Sequence, residues 1–297
     1  ANSSTVLLPN SFAVMADLGN KCIGQRRTFT MFAKVIFIML LLFSESGTAK
    51  AEIRVEYPPV QDPQHEQTRQ AIIQGHMLEN WANKINPLLK QPVNLTVVMR
   101  ECGVKNATYI APLHQIWMCY EMWDEVVRLV QKGVTADQVN ARVLGAWTFI
   151  FYHELGHALT DIFDLPVVGK EEDAVDQFAT LFVAENREPG REEIAESGAL
   201  VFWWLVPLTP ENTGIGFADY FRVVASQSAY ADEHGLGQQR FYNIVCLLYG
   251  NNPQRYKGYF VPNQMMRIDP QRQPFCKNEY AKVRRRWGTL TKDYFKW

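Results

Sequence analysis

Apolar and polar residues follow two different periods along the chain, helical and alternating, which are mixed before residue 135. Between residues 66 and 89 apolar side chains recur at helical spacing, which predicts one amphipathic helix. Residues 93–99 alternate and are rich in β-branched side chains, which predicts a strand. Residues 108–111 and 115–121 flank Pro112 and predict a hairpin. The N-terminal part is therefore expected to be a small mixed lobe that contains an antiparallel strand pair.

From residue 135 onward the pattern is almost entirely helical. Thr135 is placed to cap a helix that runs to about residue 164, and residues 147–152 in its middle are apolar on every side. This pattern predicts a buried central helix. Further helices are predicted at about 170–185, 191–205, 216–231, 236–249 and 276–290. The expected fold class is α+β, with a small mixed lobe and a mostly helical C-terminal lobe in one unit.

The most hydrophobic segment lies near the N-terminus, outside the predicted globule. Lys34 precedes nine consecutive apolar residues at 35–43, and Ala49-Lys50-Ala51 follows as a small-x-small cleavage motif. This order is that of a secretory signal peptide, and the run is too short to span a bilayer, which takes about 20 residues. We expect residues 1–30 to be an upstream extension, 31–51 to be removed on export, and 52–297 to form one exported domain, periplasmic or secreted. A buried core strand and an uncleaved membrane anchor are the alternatives.

Composition narrows the function classes. Hydrophobic residues make up 47% of the 297, which excludes wholesale disorder. The 30 Lys and Arg nearly balance the 31 Asp and Glu, so a nucleic-acid partner is not expected. Four cysteines lie in residues 52–297, an even number that suits disulfides in an oxidising compartment. Of the three possible pairings, the spacing favours Cys102 with Cys119 and Cys246 with Cys276; four separate buried thiols are the alternative.

His153, Glu154 and His157 form an H-E-x-x-H motif in the predicted central helix. The four-residue spacing places both imidazoles on one helix face, where both can bind one metal ion, and Glu154 lies beside them. Zinc held in this way lowers the pKa of a bound water towards 7, and a neighbouring carboxylate can take its proton. Two structural histidines are the alternative, but two unpartnered imidazoles would be costly to bury. The motif therefore predicts one catalytic zinc ion.

Residues 153–161, HELGHALTD, resemble the active-site helix of thermolysin-type enzymes. The chain is more closely similar to a bacterial family of predicted metallopeptidases, a domain of unknown function, over nearly all of residues 52–297. The resemblance implies a secreted, zincin-like fold in which a downstream Glu is the third zinc ligand. In the glutamate zincins, an Asp four residues after that Glu supports a zinc-binding His. The resemblance also rests on Glu101-Cys102-Gly103, Asn106-Ala107, Cys119-Tyr120-Glu121, EDAVDQFA at 172–179, and Gln239-Arg240-Phe241-Tyr242-Asn243 with Cys246 and Tyr249-Gly250.

Catalytic zinc normally takes three protein ligands, and the acidic start of the next predicted helix supplies candidates for the third. Helical phase places Asp173 opposite the apolar face, and Glu171 stands in the first turn, where a carboxylate is often a helix-terminus charge. Glu172 and Asp176 share the edge of the apolar face. From there Glu172 can reach the metal, and the shorter Asp176 can orient His153. Glu172 is the predicted ligand, with Glu171 and Asp173 left open.

Together these motifs predict an exported zinc metallopeptidase that acts on peptides or proteins, with Glu154 as general base. His234 is a candidate for stabilising the oxyanion, as a His does in thermolysin-like enzymes, or is a structural histidine. Residues 115–121 are a candidate edge strand for an extended peptide, or an ordinary structural hairpin. Only 14 residues separate His157 from Glu172, fewer than in thermolysin, so thermolysin's substrate pockets are not carried over.

Two other function classes stay open. One is a zinc hydrolase of a non-peptide amide, and the other is a non-catalytic zincin-fold binding protein, although binding alone does not require Glu154. No stable membrane anchor is expected after signal cleavage, and the sequence leaves the oligomeric state open.

Overall fold

The computed structural model describes residues 52–133, 135–185, 191–204, 237–260 and 268–297. The predicted signal peptide, the upstream extension, the helix predicted at 216–231 and His234 lie outside the described residues. Within them the fold is α+β and mostly helical, with one small sheet.

The sheet contains β1 (Arg54–Glu56), β2 (Thr96–Arg100), β3 (Ala107–Ile110) and β4 (Gln115–Cys119), in the order β1-β2-β4-β3. The β3–β4 pair is antiparallel, which confirms the predicted hairpin, whereas β1–β2 and β2–β4 are parallel. The prediction that 115–121 is an edge strand is wrong, because β2 pairs with one side of β4 and β3 with the other. In the described part of the sheet, β1 and β3 are the outer strands. The parallel pairing joins segments distant in sequence and leaves no local signal.

Two helices stand where one was predicted at 66–89. Helix α1 (Pro63–Gln74) ends at Gly75, and α2 (Met77–Ile85) begins after His76, whose φ of 50° is left-handed. Glycine weakens a helix interior, and here the break allows both Ile72 and Leu78 to be buried. Helix α3 (Tyr120–Gly133) was not predicted, although its buried residues recur at helical spacing.

The central helix α4 (Val139–Ile162) is the core of the molecule. It packs against α3, β3 and β4 on the side of the sheet, and against α5 (Glu171–Glu185) and α6 (Arg191–Trp204) on the other. It begins three residues later than an N-cap at Thr135 would require, because the Thr135 carbonyl accepts from the Gln138 amide in a tight turn. Its side chains are buried almost continuously from Gly145 to Leu155.

The remaining helices are α7 (Gly237–Asn251), α8 (Pro253–Tyr256) and α9 (Gln273–Thr291), and α7 packs against α5, α6 and α9. The predictions at 170–185, 191–205, 236–249 and 276–290 are confirmed to within three residues. Both predicted disulfides, Cys102–Cys119 and Cys246–Cys276, are present. None of the described helices is long and apolar enough to cross a membrane.

Candidate metal centre

Helix α4 carries the H-E-x-x-H residues into the core at its C-terminal half. His153 is 3% exposed and Glu154 is 6% exposed, whereas His157 is only partly buried. The apolar residues of the preceding two turns hold the helix between the sheet and α6, so the three polar side chains stand on a rigid element.

Gly156 allows α5 to approach α4 closely. A Cβ built at Gly156 would lie 2.8 Å from the Cβ of Val175 and 3.2 Å from the ring of Phe178, both on α5. Any side chain at this position would therefore push the two helices apart. The first turn of α5 lies against the histidine face of α4 because this position is a glycine.

The Glu172 carboxylate faces both imidazoles. Its Oε2 lies 3.1 Å from Nε2 of His153, and its Oε1 lies 3.2 Å from Nε2 of His157. The ligand atoms of these three residues all lie within 4.8 Å of one another. Within the described residues one other group meets this criterion, Cys102 with Cys119 and Glu121, but its cysteines form a disulfide.

Each histidine uses its other ring nitrogen to contact a second carboxylate. Nδ1 of His153 lies 2.8 Å from Oδ1 of Asp176, and Nδ1 of His157 lies 2.7 Å from Oε1 of Glu171. A proton on each Nδ1 donates to these carboxylates, so each Nε2 lone pair points at Glu172. Two lone pairs facing a carboxylate at this distance require positive charge between them, which protons or a metal cation supply. Two imidazoles and one carboxylate are a donor set that catalytic zinc takes.

The pKa values of the histidines report the same surplus of negative charge. Burial alone would lower the pKa of His153, but the carboxylates of Asp176 and Glu172 outweigh it and raise the pKa to about 9. Burial would likewise lower the pKa of His157, and the Glu172 and Glu171 carboxylates raise it. The site therefore attracts cations, whether protons or a metal ion.

Arg240 on α7 anchors the carboxylate behind His153. Its Nε donates to Oδ2 of Asp176 at 2.7 Å and its Nη2 to Oδ1 at 2.8 Å, and the guanidinium lies 3.6 Å from the ring centre of Phe202. Burial alone would raise the pKa of Asp176, but the charge of Arg240 outweighs it and holds the pKa well below its usual range. Asp176 is therefore a fixed anion that sets the orientation of the His153 ring.

The structure brings most of the predicted site residues together. His153, His157 and Glu172 converge, and Asp176 contacts His153 as expected. Glu171, left open as a third ligand, contacts Nδ1 of His157 instead, and Asp173 does not belong to the converging group.

Sequence reasoning named Arg240 only as part of the family resemblance and gave it no role at the site, although a signal was present. Arg240 stands among the buried positions of a helix whose other buried residues are apolar, and a cation there needs a buried anion nearby. It also missed Tyr109 on the outer strand β3, whose hydroxyl donates to Oδ2 of Asp161 on α4 at 2.7 Å.

Comparison with known proteins gives one match. A family model described as "Putative metallopeptidase" matches residues 57–291, which include every residue of this site. Neither the curated proteins nor the solved structures gave a match.

Proposed function

We propose that this chain, which belongs to the metallopeptidase family whose model matches it, is an exported zinc peptidase with His153, His157 and Glu172 as metal ligands. Family membership supports a metal-dependent peptidase that acts on peptides or proteins. The choice of metal and the role of each residue are our inference. The observation that carries the inference is the convergence of two imidazole Nε2 atoms on the two oxygens of one carboxylate.

The donor set supports zinc over the alkaline-earth ions. Two of the three donors are imidazole nitrogens, which suit zinc, whereas calcium and magnesium prefer an all-oxygen shell. Asp176 and Glu171 accept hydrogen bonds from the Nδ1 protons, so the lone pair of each Nε2 stays available to bind a metal ion. A bound zinc ion supplies Lewis acidity, which polarises a peptide carbonyl and makes water acidic enough to lose a proton near pH 7.

Glu154 is the proposed general base. It follows His153 directly on α4 and is buried, and its negative charge raises the pKa of His157 and of Arg240, so it belongs to the electrostatic field of the site. Its carboxylate takes a proton from the attacking water and then delivers it to the amide nitrogen of the leaving group. Arg240 and Asp176 take no proton in this scheme; they hold His153 in place.

The strand that would hold an extended peptide is β3, in place of the predicted 115–121. β3 is an outer strand of the described sheet, it packs against α4, and Tyr109 ties it to Asp161 one turn beyond His157. A free strand edge can pair with the main chain of a substrate.

A scan of the acidic residues tests the ligand assignment. Glu172→Ala should abolish stoichiometric zinc, measured by elemental analysis after dialysis, because it removes one of three donors. Asp173→Ala is the matched control, one residue along the same turn, and should keep full zinc. Glu171→Gln should weaken zinc binding by about 10-fold, since it loses only the outer partner of His157. Loss of zinc in Asp173→Ala with retention in Glu172→Ala would move the assignment to Asp173.

Export is part of the proposal and rests on the order of charge, apolar run and cleavage motif at 34–51. Two disulfides between described cysteines support an oxidising compartment. Mass spectrometry of the exported protein should find Glu52 as its first residue. A mature species that retains residues 35–43 would indicate a membrane anchor instead.

A further inference from the structure

Charge is divided unevenly along the chain. Residues 52–250 carry 14 Lys and Arg against 26 Asp and Glu, whereas residues 251–297 carry 11 against 3. The net charge of −4 on residues 52–297 therefore combines an acidic part with net charge −12 and a basic C-terminal part with net charge +8. This asymmetry is unrelated to the metal centre, whose residues all precede 250.

Much of the basic charge forms one exposed surface on α9. At about 100° per residue, six cations of the helix and its C-terminal cap fall within an arc of about 200°. The buried residues of α9, Cys276, Val283, Trp287 and Thr291, occupy the opposite side. We call the six exposed residues the cationic face: Lys277, Lys282, Arg284, Arg285, Arg286 and Lys292.

Five of the six residues of this face have no anionic partner in the part of the chain that the structure describes, and Lys282, Arg285 and Arg286 form its centre along the helix. Nε of Arg284 contacts Oε1 of Glu185 at 2.8 Å, but none of the described carboxylates pairs with Lys282, Arg285 or Arg286. These three cations do not stabilise the fold through ion pairs, so their charge is available to a partner.

Apolar groups accompany the charge. Phe275 at the start of α9 is 63% exposed, and Trp297 beyond its end is 46% exposed. Beside the cations, a groove of about 510 Å³ runs between α9 and α5, with Leu181, Ala281, Gly288 and Trp297 among its lining residues. A Cβ built at Gly288 would meet nothing within 4 Å, so the groove is open at that point.

We propose that the cationic face is a peripheral membrane-binding surface that docks on a bilayer containing anionic phospholipid. The Lys and Arg side chains contact lipid phosphates, and Phe275 and Trp297 enter the interfacial layer, which favours aromatic side chains. The groove receives apolar lipid atoms between these contacts. The apolar groove favours lipid, whose hydrocarbon atoms can fill it, over nucleic acid, which binds through phosphate and base contacts. The anionic bilayer repels the acidic remainder of the chain, so α9 is the side of the protein that approaches the bilayer.

The test measures binding of the full chain to vesicles by co-sedimentation. Vesicles of phosphatidylcholine alone are compared with vesicles of equal parts phosphatidylcholine and phosphatidylglycerol, at low and high NaCl. The apolar residues 35–43 and the neighbouring Lys34 and Lys50 are the same in every variant, so the part of the anionic preference that a substitution removes reports the cationic face. The test variant is Lys282→Gln/Arg285→Gln/Arg286→Gln. The control, Gln67→Glu/Gln74→Glu/Asn83→Glu, makes the same net charge change at exposed positions of α1 and α2.

We expect the anionic vesicles to bind more tightly, and high NaCl to remove the difference. The triple Gln variant should lose on the order of 100-fold of the preference for anionic vesicles, since each cation near an anionic surface contributes about 1 kcal/mol, or about 5-fold. The control variant, with its three Glu substitutions on α1 and α2, should keep the preference for anionic vesicles. Equal binding to both vesicles, or equal loss in the control, would overturn the proposal. Tighter binding to a DNA duplex that competes with the vesicles would assign the face to nucleic acid and overturn it too.

Discussion

Replacing Arg240 by Leu should strongly destabilise the fold, because it leaves a buried carboxylate without its main counter-charge. Asp176 is 5% exposed and accepts two hydrogen bonds from Arg240, at 2.7 and 2.8 Å, beside its contact with His153. Breaking a buried ion pair by removing one partner costs about 3–5 kcal/mol. Urea unfolding in the presence of a chelator should show a loss of this size, free of any contribution from bound metal.

A double-mutant cycle separates this effect from simple loss of packing. Asp176→Leu alone should also be costly, since it leaves the Arg240 guanidinium buried. The double variant Arg240→Leu/Asp176→Leu should lose clearly less than the sum of the single losses, because no buried charge is left unpaired. The control is Arg255→Leu, whose contact with Glu193 is largely exposed and should be worth less than about 1 kcal/mol. A loss below about 1 kcal/mol for Arg240→Leu, or strict additivity in the cycle, would refute the reasoning.

Three further predictions concern packing, the disulfides and pH. Gly156→Ala should destabilise the fold by about 1–3 kcal/mol and weaken zinc binding, because its Cβ would lie 2.8 Å from Val175 and push α5 away; an unchanged melting temperature would contradict this. Reducing either disulfide should cost about 3 kcal/mol in the chain-entropy model, seen as a lower melting temperature with reductant. The hydrogen bond from Arg128, together with Lys105, lowers the pKa of Glu125 from its ordinary value of 4.5 to about 2. The stability from this pairing is present above pH 4.5 and is lost as the pH falls towards 2. Glu125→Gln should therefore make the melting temperature depend less on pH between 4.5 and 2. An unchanged pH dependence in this variant would count against the pairing.

The parts of the fold that sequence predicted are those set by local pattern. Helical periodicity located α4, α5, α6, α7 and α9 to within three residues, but it missed the short α8. The H-E-x-x-H spacing identified the face of α4 that carries both imidazoles. Helical phase singled out Glu172 and Asp176 because the apolar edge of α5 fixes which side chains turn towards α4. Each of these inferences uses neighbours within two turns.

The parts that sequence missed depend on contacts between distant segments. β4 pairs in parallel with β2, 19 residues earlier in register, which makes it an internal strand and moves the free edge to β3. Arg240 meets Asp176 across 64 residues, and nothing near Arg240 in sequence names its partner. The close approach of α4 and α5 depends on Gly156, which reads in sequence as an ordinary small residue.

The central claim is that Glu154 activates water beside one zinc ion held by His153, His157 and Glu172. The most direct measurement compares the unaltered protein with Glu154→Gln for zinc content and for cleavage of a mixed peptide library, with and without chelator. We predict about one zinc per chain in both proteins. The unaltered protein should cleave peptides only without chelator, and the variant at least about 100-fold more slowly. Cleavage by Glu154→Gln at the unaltered rate, or chelator-resistant cleavage, would contradict the account.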